Sequence, residues 1–144
     1  KVITNYLASV HLVALGEAWT VAKKSNLDLE KTFKGIAASS GNSFVHETES
    51  QVILNGSYNI NFTMDLVLKD TGLFDDLAKK LNAPLEISPK IVEIFKDGQK
   101  KYGSRAWSSM IVKRMEDLNN IDFRAKGFPE ELIDNEPEEK GFEI

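Results

Sequence analysis

The sequence predicts an all-α fold, a helical bundle built on one long buried N-terminal helix. Three observations lead there. Apolar residues recur at three- and four-residue steps through most of the chain, which is the helical period. No segment alternates apolar and polar residues over a strand's length between turn signals. Asn, Asp, Ser, Gly and Pro fall between the periodic stretches, at positions that start and stop helices.

The first helix is the longest. Val2, Ile3, Tyr6, Leu7, Val10, Val13, Ala14, Ala18, Val21 and Ala22 form its apolar stripe, and Leu12, Leu15 and Trp19 carry the stripe most of the way round. A helix apolar on most faces belongs at the centre of its own fold or in a subunit interface. Asn26 ends it, because Asn tolerates the left-handed conformation of a helix cap. Asp28 is an N-cap for a helix over 29–39. Gly41 breaks that helix, and Asn42 or Ser43 starts another that runs to about Leu54. Asn55-Gly56-Ser57 is a turn. Residues 62–81 form a long amphipathic helix, stopped before Pro84. Ser88 caps a helix over 89–102, with Pro89 at the first helical position, where proline is tolerated. Gly103 ends it, and 108–118 is a last short helix.

Charge divides the chain. Residues 1–116 carry 15 basic and 13 acidic side chains, net +2, whereas residues 117–144 carry 3 basic and 9 acidic, net −6. Apolar residues thin out in the second stretch, and Pro129 and Pro137 interrupt it. The expected organisation is a helical domain over 1–117 and an acidic tail over 118–144 that is irregular or packed on a partner. At 144 residues the chain is one domain, large enough for a core without staples. Cysteine is absent, which excludes disulfides and Cys-based zinc sites. Two histidines, His11 and His46, leave little for a metal site, and none is expected. The net charge of −4 argues against general nucleic-acid binding. The longest apolar stretch lies near Val10–Leu15, far short of the ~18–20 residues of a membrane span. A cytoplasmic location is expected. The chain opens at Lys1, without Met and directly in helical pattern, which suggests a piece of a longer protein.

Few residues are placed to carry chemistry. Lys1 and Asn5 stand four apart and share a helix face. A lysine held away from water on an apolar helix is a general acid or base, and an asparagine one turn along can orient a hydroxyl or carbonyl. A solvated lysine at a frayed helix start accounts for the same spacing. Lys69-Asp70 sits mid-helix among apolar residues, so one of the two can face a cleft while the other pairs locally; a surface pair is the plainer account. Phe62, eight residues before Asp70, lies on nearly the same face of the predicted helix as an apolar wall. Ser39-Ser40-Gly41-Asn42-Ser43 and the basic residues Lys100, Lys101 and Arg105 are explained by capping and by the helix dipole.

Taken together, these pieces resemble the C-terminal helical domain of the β-hydroxyacid dehydrogenase family, over about residues 1–111. The family's K-x-x-N-N resembles Lys1-Val2-Ile3-Thr4-Asn5, and its following Glu-Ala resembles Glu17-Ala18. Its Gly-Leu-Asp bend is similar to Asn26-Leu27-Asp28, and its F…K-D stretch to Phe62 and Lys69-Asp70. Pro84 and the run from Gly103 to Ser108 complete the order. No single piece is specific; their joint order and spacing carry the likeness. Related 6-phosphogluconate dehydrogenases share the architecture with a much longer helical domain, and imine reductases usually lack the lysine.

The resemblance implies roles. Lys1 would be the catalytic proton donor and acceptor. Asn5, Phe62 and Asp70 would bind the substrate, a short hydroxy acid, and Lys69 would lie near the cofactor, NAD or NADP. The resemblance also implies a homodimer or tetramer, and a Rossmann domain as the cofactor's main holder. No G-x-G-x-x-G after a strand occurs in these 144 residues, so the chain alone is expected to be inactive. Three positions depart from the pattern. Thr4 stands where the family repeats Asn, Ala106 where it often has Asp, and Asn26 where it has Gly. Thr4 and Ala106 favour the alternative reading, a non-catalytic oligomerisation or ligand-binding module.

Overall fold

The computed structural model describes residues 1–133. Among them the regular structure is helical: α1 (Val2–Lys24), α2 (Leu29–Ala37), α3 (Phe44–Asn55), α4 (Met64–Lys80), α5 (Ser88–Tyr102), a 3-10 turn (Ser108–Ile111) and α6 (Lys113–Asn119). The fold is the expected all-α bundle. α1 packs against every other helix. Leu12, Leu15 and Trp19 from α1 meet Ile53 and Leu54 from α3, Met64 and Val67 from α4, and Phe95 from α5 in one core.

The opposite face of α1 is apolar and open. Ile3, Leu7, Ala14, Ala18 and Val21 line it, all exposed. The near-complete apolar wrap of α1 thus divides into a buried face and a solvent-facing stripe.

The helix ends follow from local chemistry. Asn26 adopts φ 55° just past α1. The Asp28 side chain accepts from Lys31 N at 3.1 Å, and Ser43 Oγ accepts from His46 N at 3.0 Å. Both are N-caps that satisfy a free N–H of the first turn. Gly56 closes α3 at φ 97°, and the Arg124 side chain lies where a Cβ would stand. Neither constraint admits another residue without strain.

Two helix starts differ from expectation. α4 begins at Met64, not at Phe62. Residues 62–63 are extended and pair with the chain before the 3-10 turn: Ser108 N donates to Phe62 O at 2.8 Å, and Met64 N to Ala106 O at 3.0 Å. That pairing holds Thr63 in β conformation and leaves it as the N-cap. Phe62 therefore lies off the helix that carries Asp70. Ser88 is the first residue of α5, after Ile87 as N-cap. Its hydroxyl donates to the Asp75 side chain and ties α5 to α4.

Residues 120–133 contain no helix, and they pack on the body. Phe123 is fully buried, and Ala125 N donates to Leu54 O at 3.1 Å. Glu116 accepts from Phe123 N at 2.7 Å, from Arg124 Nη1 at 2.9 Å and from the Tyr58 hydroxyl. Asn55 and Ser57 donate to the carbonyls of Phe128 and Glu130. Low hydropathy and net negative charge set this stretch apart in the sequence, but Phe123, Arg124 and backbone bonds at 125–130 anchor it. The remainder of the acidic stretch, 134–144, lies outside the described residues.

Candidate functional site

The site forms where the start of α1 crosses α4. Asn5 Nδ2 donates to Asp70 Oδ2 at 2.5 Å, across 65 residues of sequence. Asp70 is buried at 7% exposure, and Lys69 Nζ lies 3.8 Å from its Oδ1 with 64% of the Lys69 side chain in solvent. Of the two adjacent residues, the aspartate turns inward and the lysine outward. The hydrogen bond uses the Asn5 amide as donor and leaves its carbonyl oxygen as an acceptor. One turn on, Ser9 Oγ donates to Asn5 O at 2.8 Å.

Lys1 is the N-cap of α1 and is exposed. Its carbonyl accepts from Asn5 N at 3.0 Å and from Thr4 Oγ1 at 2.8 Å. Thr4, at the first of the two family amide positions, thus spends its hydroxyl on the first turn of the helix. Lys1 stands one turn before Asn5, at the start of the same helix. Among the described residues Lys1 is exposed, as a solvated lysine at a helix start would be, and the burial that the acid–base reading requires is not supplied by them.

Below Asn5 a mostly apolar pocket of about 160 Å³ opens into the bundle. Asn5, Ser9, Glu49, Phe62, Phe95 and Ser108 are among its walls. Phe62 reaches it from the extended segment before α4. Lys1, Lys69 and Asp70 stand outside its lining.

Glu49 is the site residue that sequence reasoning missed. Its Oε2 is closed off from solvent and has no hydrogen-bond partner among the described residues. Burial pushes its carboxyl up to about 8, so the neutral acid is the main form at pH 7. A signal was present. Glu49 lies four residues after Val45 and three and four before Val52 and Ile53, all buried. An acid at a core-facing helical position invites a search for its partner.

The histidines take structural places. His11 is exposed. His46 is fully buried, and its Nε2 lies 2.9 Å from Phe33 O. A carbonyl only accepts, so Nε2 carries the proton and Nδ1 accepts from Ser50 Oγ at 3.1 Å. Ser50 in turn accepts from Trp19 Nε1 at 3.3 Å. Burial lowers the His46 pKa, partly opposed by the bond to Phe33. Of the basic cluster, Lys101 pairs with Asp117 at 2.8 Å and Arg105 with Asp65 at 3.2 Å.

Comparison with known proteins gives a consistent placement. The family model described as NAD-binding of NADP-dependent 3-hydroxyisobutyrate dehydrogenase matches residues 1–115. L-threonate dehydrogenase of Haemophilus influenzae is 30% identical over 113 residues, 78% of this chain and 38% of that protein. 2-(Hydroxymethyl)glutarate dehydrogenase of Eubacterium barkeri is 30% identical over 122 residues, 84% of this chain and 40% of that protein. The crystal structure of 3-hydroxyisobutyrate dehydrogenase from Salmonella typhimurium superposes with a TM-score of 0.73 at 28% identity, covering 79% of this chain and 40% of that one. The chain therefore spans about two-fifths of the length of these relatives. With its all-helical bundle and a family match over residues 1–115, the chain belongs to the β-hydroxyacid dehydrogenase family, as the helical domain that the family model describes.

Proposed function

We propose that this chain is the substrate-binding helical portion of an NAD(P)-dependent dehydrogenase that oxidises a short hydroxy acid or reduces the matching carbonyl acid. The hydrogen bond between Asn5 and Asp70 carries the reading. It fixes an amide at the mouth of a pocket, one helical turn from a lysine. Such a constellation holds and protonates a substrate oxygen.

The roles proposed are those the family resemblance implies, and the Asn5–Asp70 hydrogen bond supports them. Lys1 takes the hydroxyl proton in oxidation and returns it in reduction. Asn5 holds the substrate, and Asp70 holds Asn5, so Asp70 is a positioning residue more than a direct substrate contact. Phe62 forms an apolar wall. Lys69 lies 3.8 Å from Asp70 and Lys1 one helical turn before Asn5, a donor set that fits an anionic substrate beside a polar nucleotide. The nicotinamide, when bound, supplies the hydride acceptor or donor. Lys69 would meet its polar groups, while a Rossmann domain would hold most of the nucleotide and cover the exposed Lys1. In the complete protein, Lys1→Ala should lower kcat about 10²–10⁴-fold, the usual worth of an acid–base group. Nicotinamide affinity should change little. Near-wild-type turnover would overturn the assignment of Lys1.

The open stripe of α1 supports a second element of the reading, self-association into a dimer or tetramer. Ile3 is 58% exposed and Val21 66%, at the two ends of the stripe. Apolar residues in a contiguous exposed row mark an interaction surface.

A further inference from the structure

The pocket below Asn5 contains one ionisable group. Glu49 faces a cavity walled chiefly by Leu12, Phe62, Val67 and Phe95, with the polar groups of Asn5, Ser9 and Ser108 at its edges. No cation lines it. The Lys69–Asp70 pair touches the cavity only through Asn5, and neither residue is part of its lining. The cavity's volume is close to the ~150 Å³ of cavities that admit a benzene-sized guest, so it accepts the far end of a four- or five-carbon molecule.

From this cavity and its unpartnered carboxyl we infer that Glu49 determines specificity: the pocket takes a hydroxy acid whose far end bears a neutral hydroxyl group, and it rejects one whose far end is a second carboxylate. The inference rests on the functional reading above and names the substrate class of that same site.

The chemistry is direct. A neutral carboxyl offers one O–H donor and retains acceptor capacity. A hydroxyl on the ligand can accept from the first and donate to the second. A polar group in an apolar pocket that pairs with a ligand hydroxyl discriminates against ligands without one. A second carboxylate arrives with charge into apolar walls, with no cation to pair it. The same carboxylate also opposes ionisation of Glu49. Charge inside the pocket is thus excluded twice, while charge at the mouth meets Lys1 and Lys69.

Binding tests this without relying on hydride transfer. L-Threonate, a monocarboxylate with hydroxyls along its chain, and 2-(hydroxymethyl)glutarate, a dicarboxylate, are titrated calorimetrically into the complete protein at pH 7. The wild type should bind the hydroxylated monoacid at least about 100-fold more tightly. Glu49→Leu should reduce that ratio to below about tenfold by loss of the hydrogen bond. Glu49→Gln, isosteric and still hydrogen-bonding, should keep a preference for the monoacid. Glu49→Lys should turn the preference toward the dicarboxylate. A ratio unmoved in Glu49→Leu, with the fold verified by circular dichroism, overturns the inference. So does tighter binding of the dicarboxylate by wild type, or no binding of the monoacid. Failure of the dehydrogenase reading looks different: selective binding that depends on Glu49, with no nicotinamide oxidised or reduced.

Discussion

Glu116 is buried with its carboxylate paired, whereas Glu49 is half-buried with one carboxyl oxygen closed off and unpaired among the described residues. Glu116 is 2% exposed and accepts from a phenol, a guanidinium and a backbone N–H. Every bond it makes ties α6 to the loop after α3 or to the returning chain at 123–124. Glu49 lines a mostly apolar cavity, and its Oε2 has no hydrogen-bond partner among the described residues. The first arrangement joins segments and leaves no vacant capacity for a ligand. The second retains a polar group at a cost in stability, which structure alone does not recover. An orphaned acid facing a cavity is therefore the stronger sign of a binding role, and a satisfied one the stronger sign of architecture.

The comparison breaks most readily at Glu116. Glu116→Ala strands the Tyr58 hydroxyl, Arg124 and the Phe123 N–H together. The expected loss is about 3 kcal/mol, toward the low end for breaking a buried pair because Arg124 can still reach water. Urea unfolding measures it. A loss under about 1 kcal/mol would mean that the network does not hold the returning chain.

The next effect is at Glu49 and has a definite sign with pH. Its ordinary pKa is 4.5, and burial raises it to about 8 in the folded protein. Between those values the unfolded chain has released the proton that the folded chain keeps, so stability falls as pH rises. The contribution is whole below pH 4.5 and is lost as pH climbs through 8. The slope reaches at most about 1.4 kcal/mol per pH unit. Glu49→Gln should remove it and be more stable than wild type at pH 8. His46, lowered by burial, adds a slope of opposite sign in both proteins. Thermal unfolding of the pair across pH 5–8 isolates the difference, and parallel curves would show that Glu49 ionises freely in the fold.

The smallest effect belongs to a carboxylate paired at the surface. Hydrogen bonds from Lys101, then Tyr102 and Lys113, lower Asp117 from 3.8 to about 2. Its stabilising contribution is present above pH 3.8 and lost as pH falls toward 2. Asp117→Asn should cost under about 1 kcal/mol at pH 7 and lessen the fall in stability below pH 4. A larger loss at pH 7 would place Asp117 with Glu116 as a structural anchor.

Much of this molecule was legible in its sequence. Helix class, the bends at Asn26 and Gly56, and the caps at Asp28 and Ser43 depend on local periodicity and on side chains reaching their own backbone, so a short window of sequence determined them. The family likeness came from order and spacing along the chain, and it placed Lys1 and Asn5 one turn apart. Tertiary structure decided the rest, because it depends on groups far apart in sequence. Pairing with residues 106–108 moved the start of α4 to Met64 and set Phe62 off the helix. Asp75 drew Ser88 from capping its helix, and Asp70 took the Asn5 amide. Packing alone left Glu49 facing a cavity and Glu116 enclosed by partners. The two residues share the same carboxyl chemistry, and only what the fold brought within hydrogen-bond reach of each distinguishes them.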